Sequence, residues 1–164
     1  MGPLPDAAAR EAIAAPAARS GVKFTKPALD EILRQTQGYP YFLQEWGKHS
    51  WTCAKQSPID LADVQVATQQ ALADLDASFF RVRLDRLSPS EKRYLRAMAE
   101  LGPGPHRSGD IAQMLGREVQ TVAPIRAKLI EKGMVYSPSH GDTGFTVPLF
   151  DAFMRRVLPT LEAL

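Results

Sequence analysis

"IAQMLGREVQTVAPIRAKLIEKGMV", Ile111 to Val135, decides the fold. Ile111, Ala112 and Leu115 recur at helical spacing and stop at Gly116. Val122, Ile125 and Leu129 resume that spacing until Gly133. Two short amphipathic helices split by a glycine turn make the core of a helix-turn-helix, with the second helix set steeply to the first. The second helix is expected over about Val119 to Lys132. Pro124 belongs in or near a first turn, where its missing N–H costs nothing, so the start is expected near Gln120 or Thr121.

The flanks agree. Upstream, "SPSE" (Ser88–Glu91) is a capping box with proline at the first helical position. Tyr94, Leu95, Met98 and Leu101 give that helix an apolar face, and "GPGP" ends it. Ser108 is placed to cap the short helix "GDIAQMLG". Downstream, Met134 to Tyr136 reads as a strand, "SPSHGDTG" as a turn-rich loop, and Phe145 to Val147 as a second strand. A last helix, about Leu149 to Leu158, follows Pro148. Helix, short helix, turn, helix and two-stranded β-hairpin is the order of a winged helix, and every local signal points the same way.

The first half reads as all helix. Asp6 is placed to cap a helix of about Ala7 to Ala15 that Pro16 stops. Thr25 caps the next, with Pro27 in its first turn and Leu29, Ile32 and Leu33 on one face. Gly38 ends it in the manner of a left-handed C-terminal glycine. Pro40 opens a third helix to about Lys55, with Phe42, Leu43, Trp46, Ser50 and Cys53 along its inner side. Asp60 caps a fourth, in which Val64, Ala67, Ala71, Leu72 and Leu75 keep the period. The division is placed at residues 1–78 and 79–164, in the stretch Ser78 to Ser88. The cluster "RVRLDR" (Arg81–Arg86) reads as a solvated helix face with Val82 and Leu84 or Leu87 turned inward against the neighbouring domain.

Composition sets the class. The 164 residues are 45% apolar and 23% charged, as in ordinary globular proteins. No stretch approaches the eighteen apolar residues of a membrane span. The Ala-rich N-terminus lacks the basic and continuous apolar regions of a signal peptide. One cysteine, Cys53, allows no internal disulfide and fits a reducing cytoplasm. His49, His106 and His140 are far apart without ligand spacing, so no metal site is expected. No phosphate loop and no nucleophile-elbow sequence occur, so no catalytic residue is assigned. Cys53, beside Trp51 and Ala54, reads as a structural thiol.

Charge is uneven. Residues 1–78 hold 7 Lys and Arg against 9 Asp and Glu, whereas residues 79–164 hold 13 against 9. The basic second half allows contact with DNA through the second helix of the helix-turn-helix. Its exposed side would offer Gln120, Thr121, Arg126, Lys128 and Lys132. Arg107, Ser108 and Arg117 would reach phosphates, and His140 sits at the wing tip. Against this stand Glu118, Glu131 and a wing that holds Asp142 but no Lys or Arg. Double-stranded DNA and a protein partner carry equal weight at this point.

The two halves together resemble a known family. "TQGYPYFLQEWGKHSW", "DVQVATQQAL", "SPSEKRYLRAMAELG", "RSGDIAQMLG", "IRAKLIEKGMVY" and "FTVPLFDAFMRR" are similar to the C-terminal part of prokaryotic AAA-type P-loop ATPases, in the archaeal and bacterial group related to STAND and origin-recognition ATPases. The resemblance implies a mainly α chain: a helical-bundle AAA lid, about residues 3–78, then a winged helix, about 84–158. It implies ATP or ADP with Mg held by an upstream ATPase core, so this chain reads as a fragment that does not hydrolyse ATP alone. Gly38-Tyr39-Pro40 resembles the lid's G-x-P element, whose proline packs on the adenine. Tyr41 to Gln44 hold no Arg to sense the terminal phosphate. The implied mechanism is mechanical: nucleotide state moves the lid through Gly38-Pro40, and the helix ending near Leu87 passes the motion on. Tyr39 and Pro40 are then expected to be more exposed than Phe42 and Trp46. The alternatives are a free-standing winged-helix transcription regulator with a helical dimerisation domain, and a protein-interaction module.

Overall fold

The computed structural model describes residues 2–163, which form two compact units divided between Ala77 and Ser78. The chain is mainly α, with one small antiparallel sheet.

The first unit holds α1 (Asp6–Arg19), α2 (Lys26–Thr36), α3 (Pro40–Cys53) and α4 (Leu61–Ala77). Caps set the starts. Thr25 Oγ1 accepts from Ala28 N at 3.3 Å. Asp60 and Asp63 cap reciprocally: each backbone N–H donates to the other's carboxylate at 3.0 Å. Pro16 does not stop α1, which continues to Arg19. Ala9, Ile13 and Ala17 share the buried face, while Pro16 points to solvent. The one lost main-chain bond falls on the wet side, and burial of Ala17 keeps the last turn in place.

The core of this unit is Ile13, Ile32, Phe42, Leu43, Trp46, Val64, Ala71 and Leu75. Trp46 Nε1 donates to Thr68 Oγ1 at 2.9 Å, and that hydroxyl donates to Val64 O at 2.8 Å, so the buried indole is paired. After α2 the chain turns through two left-handed residues, Gln37 (φ 51°) and Gly38 (φ 73°). The left-handed stop thus begins one residue before the glycine. Leu4 N donates to Gly38 O at 2.8 Å, and a Cβ on Gly38 would lie 2.7 Å from Leu4 O. The segment before α1 therefore lies across this turn and buries Gly38.

The second unit holds α5 (Phe79–Asp85), α6 (Pro89–Leu101), β1 (His106–Arg107), α7 (Ser108–Met114), α8 (Val119–Glu131), β2 (Val135–Tyr136), β3 (Asp142–Phe145), α9 (Phe150–Val157) and a 3-10 turn, Leu161–Ala163. The capping box of α6 forms in both directions: Glu91 N donates to Ser88 Oγ and Ser88 N to Glu91 Oε2. The helix-turn-helix is α7 and α8 around Gly116 (φ 65°). Phe80, Phe150 and Phe153 meet with ring centroids 5.1–5.7 Å apart and anchor α5 and α9 in the core. Arg96, only 3% exposed, lies beneath the C-terminal segment: Nε donates to Leu158 O and Nη2 to Pro159 O, while Nη1 pairs with Glu100.

Four expectations change here. The sheet has three strands in the order β1-β3-β2, because His106 and Arg107 pair with Thr143 and Asp142. The returning strand is Asp142–Phe145, earlier than the expected Phe145–Val147, with Tyr136 opposite Gly144. The Tyr136 ring lies over Gly144, where a Cβ would come within 3.0 Å of it. Pro124 is the sixth residue of α8, past its first turn; it is exposed beside Gln120, whose carbonyl loses its partner on the solvent side. Val82 points outward at 53% exposure, and the inner face of α5 is Phe80 and Leu84, followed by Leu87.

Candidate functional sites

In the first unit the candidate surface is the α2–α3 turn. Gly38 is buried, whereas Tyr39 and Pro40 are half-exposed and Phe42 and Trp46 are fully buried behind them. This is the order of exposure expected. Tyr39 packs against Phe42 (centroids 4.8 Å), and Phe42 against Trp46 (6.1 Å), so the turn rests on an aromatic stack continuous with the core. Pro40 is the first residue of α3, and no side chain caps that helix. The positive end of the helix dipole thus accompanies a rigid apolar edge. The cation nearest along the helix, Lys48, pairs with Glu45 at 3.1 Å.

In the second unit the candidate surface is α8 with its flanks. Arg107, Arg117, Gln120, Thr121, Lys128 and His140 are exposed; Ser108 and Arg126 are half-buried. Ser108 does not cap α7 but is its first residue, and the preceding position, Arg107, makes no side-chain cap. Its N–H donates to Gly141 O at 2.8 Å, fastening α7 to the wing. Arg126 faces the sheet: Nε donates to Thr143 Oγ1 at 2.7 Å and Nη2 to Asp142 O at 2.9 Å. A guanidinium committed to two acceptors braces α8 against β3. Lys132 is likewise engaged, donating to Arg86 O at 2.9 Å and Glu91 Oε2 at 2.7 Å.

Ser108, Arg126 and His140 line one cavity of about 270 Å³ at the root of the wing, with Tyr94, Val119 and Val122 among its walls. Burial raises the Tyr94 hydroxyl pKa, against smaller lowering influences from Thr143 and Arg126. Burial also works against the charge on Glu91. The hydrogen bonds from Lys132 and Ser88 N, and the charges of Lys132 and Lys128, outweigh it and hold the carboxyl below its usual range.

The outward side of α8 is therefore Gln120, Thr121 and Lys128, with Arg117 on the turn before it and Arg107 on β1. Met114, Val119 and Tyr136 are 36%, 41% and 46% exposed and add an apolar component that residue spacing did not show. Helical periodicity marks Val119 only as an end position, and Tyr136 alternates outward from Val135.

Residues 77–154 match a domain of unknown function, DUF8462. An uncharacterized HTH-type transcriptional regulator of Methanocaldococcus jannaschii is 26% identical over 119 residues, covering 73% of this chain and 29% of that protein. The Walker-type ATPase PABY2304 of Pyrococcus abyssi superposes with a TM-score of 0.75 at 16% identity, over 93% of this chain and 42% of that one. At that identity the likeness shows a shared fold. The RuvB Holliday junction branch migration motor of Thermotoga maritima matches at 17% identity over 96% of this chain and 50% of its own, with a TM-score of 0.41. The chain spans less than half the length of both the regulator and the Walker-type ATPase. No described helix is long and apolar enough to cross a membrane.

Proposed function

We propose that this chain is the lid and winged-helix region of an AAA-type P-loop ATPase, and is not itself the catalytic part. The observation that carries this is the fold shared with a Walker-type ATPase across 93% of the chain, both units included. In this reading ATP or ADP with Mg is held by an ATPase core elsewhere. Tyr39 and Pro40 lie against its base, and the first turn of α3 turns its positive end toward the nucleotide. Gly38 shapes the turn from beneath and makes no contact of its own. Tyr41 to Gln44 hold no arginine, so this turn is assigned no contact with the terminal phosphate. The reading frame containing these residues tests the parentage: a phosphate-loop sequence ahead of them supports it, and a frame without one, in a protein that neither binds nor associates with an ATPase core, overturns it.

For the winged helix we propose contact with duplex DNA through Arg107, Arg117, Gln120, Thr121 and Lys128, with Ser108, Arg126 and His140 shaping the wing root. Arg126 positions the wing and does not read a base. Each phosphate neutralised adds about −0.9 to the slope of log affinity against log salt, so this set gives a slope of about −3. Fluorescence anisotropy with random-sequence duplex at two salt concentrations measures it. No binding at low salt removes DNA and leaves a protein partner, which the exposed Met114, Val119 and Tyr136 suit. A second reading, a winged-helix transcription regulator, is supported by the similarity to the archaeal regulator. Gel filtration separates the two: a regulator elutes as a dimer, a lid and winged-helix region on its own as a monomer.

A further inference from the structure

Glu45 and His49 stand one turn apart on α3 and share a face, and Asp74 meets them from α4. One ligand atom from each lies within 4.8 Å of the other two. His49 Nε2 is 2.9 Å from Asp74 Oδ2 and 3.8 Å from Glu45 Oε2. Zinc binds nitrogen and carboxylate oxygen at about 2.0–2.2 Å, which in a tetrahedron sets neighbouring ligand atoms about 3.3–3.6 Å apart. The two spacings straddle that edge.

The imidazole supplies a second, independent observation. The His49 side chain is 12% exposed, and its Nε2 is closed off from solvent with no aligned hydrogen bond, although two carboxylates are beside it. A plain ion pair would aim an Nε2–H at a carboxylate oxygen. Nε2 instead lies beside both carboxylates with its hydrogen-bonding capacity unmet. Asp74 is 60% exposed, so one of the two carboxylates is reachable from solvent. Lys48, 3.1 Å from Glu45, is the competing cation.

We propose that Glu45, His49 and Asp74 form a binding site for a divalent transition-metal ion of the zinc class, with water completing the coordination. One imidazole and two carboxylates suit Zn(II), Co(II) or Mn(II), and the absence of a thiolate among the three argues against Cu(I). The site ties α3 to α4 by their side chains, so its role is to fix the two helices.

The test is calorimetric titration of chelator-treated protein with zinc chloride, repeated with cobalt chloride and visible absorption. The expected result is one ion per chain, and tetrahedral or five-coordinate cobalt bands. His49→Ala and Asp74→Asn should each weaken zinc binding by at least about 10-fold to 100-fold, the loss that removal of an outer-shell partner alone causes. Lys48→Ala should leave binding intact or tighten it. Asp74 is the most exposed of the three, so Asp74→Asn reports on binding even if His49→Ala perturbs the fold; far-ultraviolet circular dichroism identifies that case. Cys53→Ser should change nothing. No binding by the wild-type protein overturns the proposal, as does binding that Cys53→Ser removes and Asp74→Asn leaves unchanged.

Discussion

Two glycine turns join helices in this chain, and they are built to opposite plans. Gly38, between α2 and α3, and Gly116, between α7 and α8, both take left-handed backbone angles, 73° and 65°. Around Gly116 a Cβ would meet open space; around Gly38 it would strike Leu4 O at 2.7 Å. The first turn is sealed by main chain and rests on the stack Tyr39, Phe42 and Trp46. The second is exposed, and its neighbours Arg117 and Glu118 are solvated. The same residue type thus serves packing in one place and only backbone direction in the other. A turn that carries a partner-facing surface on a rigid base is what the lid reading requires of Gly38-Tyr39-Pro40.

The sharpest way to break this contrast is to add one methyl group at each position. Gly38→Ala carries the left-handed penalty and the clash with Leu4, so it should cost about 3 kcal/mol, while Gly116→Ala should cost about 1 kcal/mol. Thermal or urea melts of the two variants measure the difference, and equal losses would refute the sealed-turn account. Next in size is Thr68→Val, which leaves the Trp46 indole N–H buried without an acceptor and should cost about 2 kcal/mol. A Thr68→Ser variant keeps the hydroxyl and should recover part of that loss. Near the second turn, Arg126→Gln should loosen the wing by about 1 kcal/mol, seen as faster amide exchange at Asp142 and Thr143.

The smallest effect concerns pH. Glu91 is held below its usual range, so its contribution is present above the unfolded-state carboxyl pKa and is lost as pH falls through the lower folded value. Glu91→Gln should flatten that acid-side loss in the second unit, and an unchanged pH profile would show that ionised Glu91 contributes nothing there.

The helical order, the capping box of α6 and the helix-turn-helix were legible because each depends on residues within one or two turns of one another. Ser88 and Glu91 formed their box as read. What escaped depends on distant partners. His106 and Arg107 are a strand only because Thr143 and Asp142 come alongside. Pro16 and Pro124 look like helix boundaries in isolation, yet both sit on exposed sides where one lost bond is tolerable. Arg126 reads as a base contact by sequence position, but two acceptors on β3 claim it. The meeting of Glu45, His49 and Asp74 was not legible because Asp74 comes from α4, far along the chain from the other two on α3.

Arg96 has a consequence for where the folded domain stops. Its guanidinium lies under the last turn of the chain, and two of its acceptors are the main-chain oxygens of Leu158 and Pro159. Sequence identity at those two positions therefore matters less than their presence. Cutting the chain after Val157, at the tidy end of α9, would leave a cation in the interior with Glu100 as its one remaining acceptor of those three. The irregular residues beyond the helix are the lid on a buried charge, and a minimal winged-helix unit has to keep them.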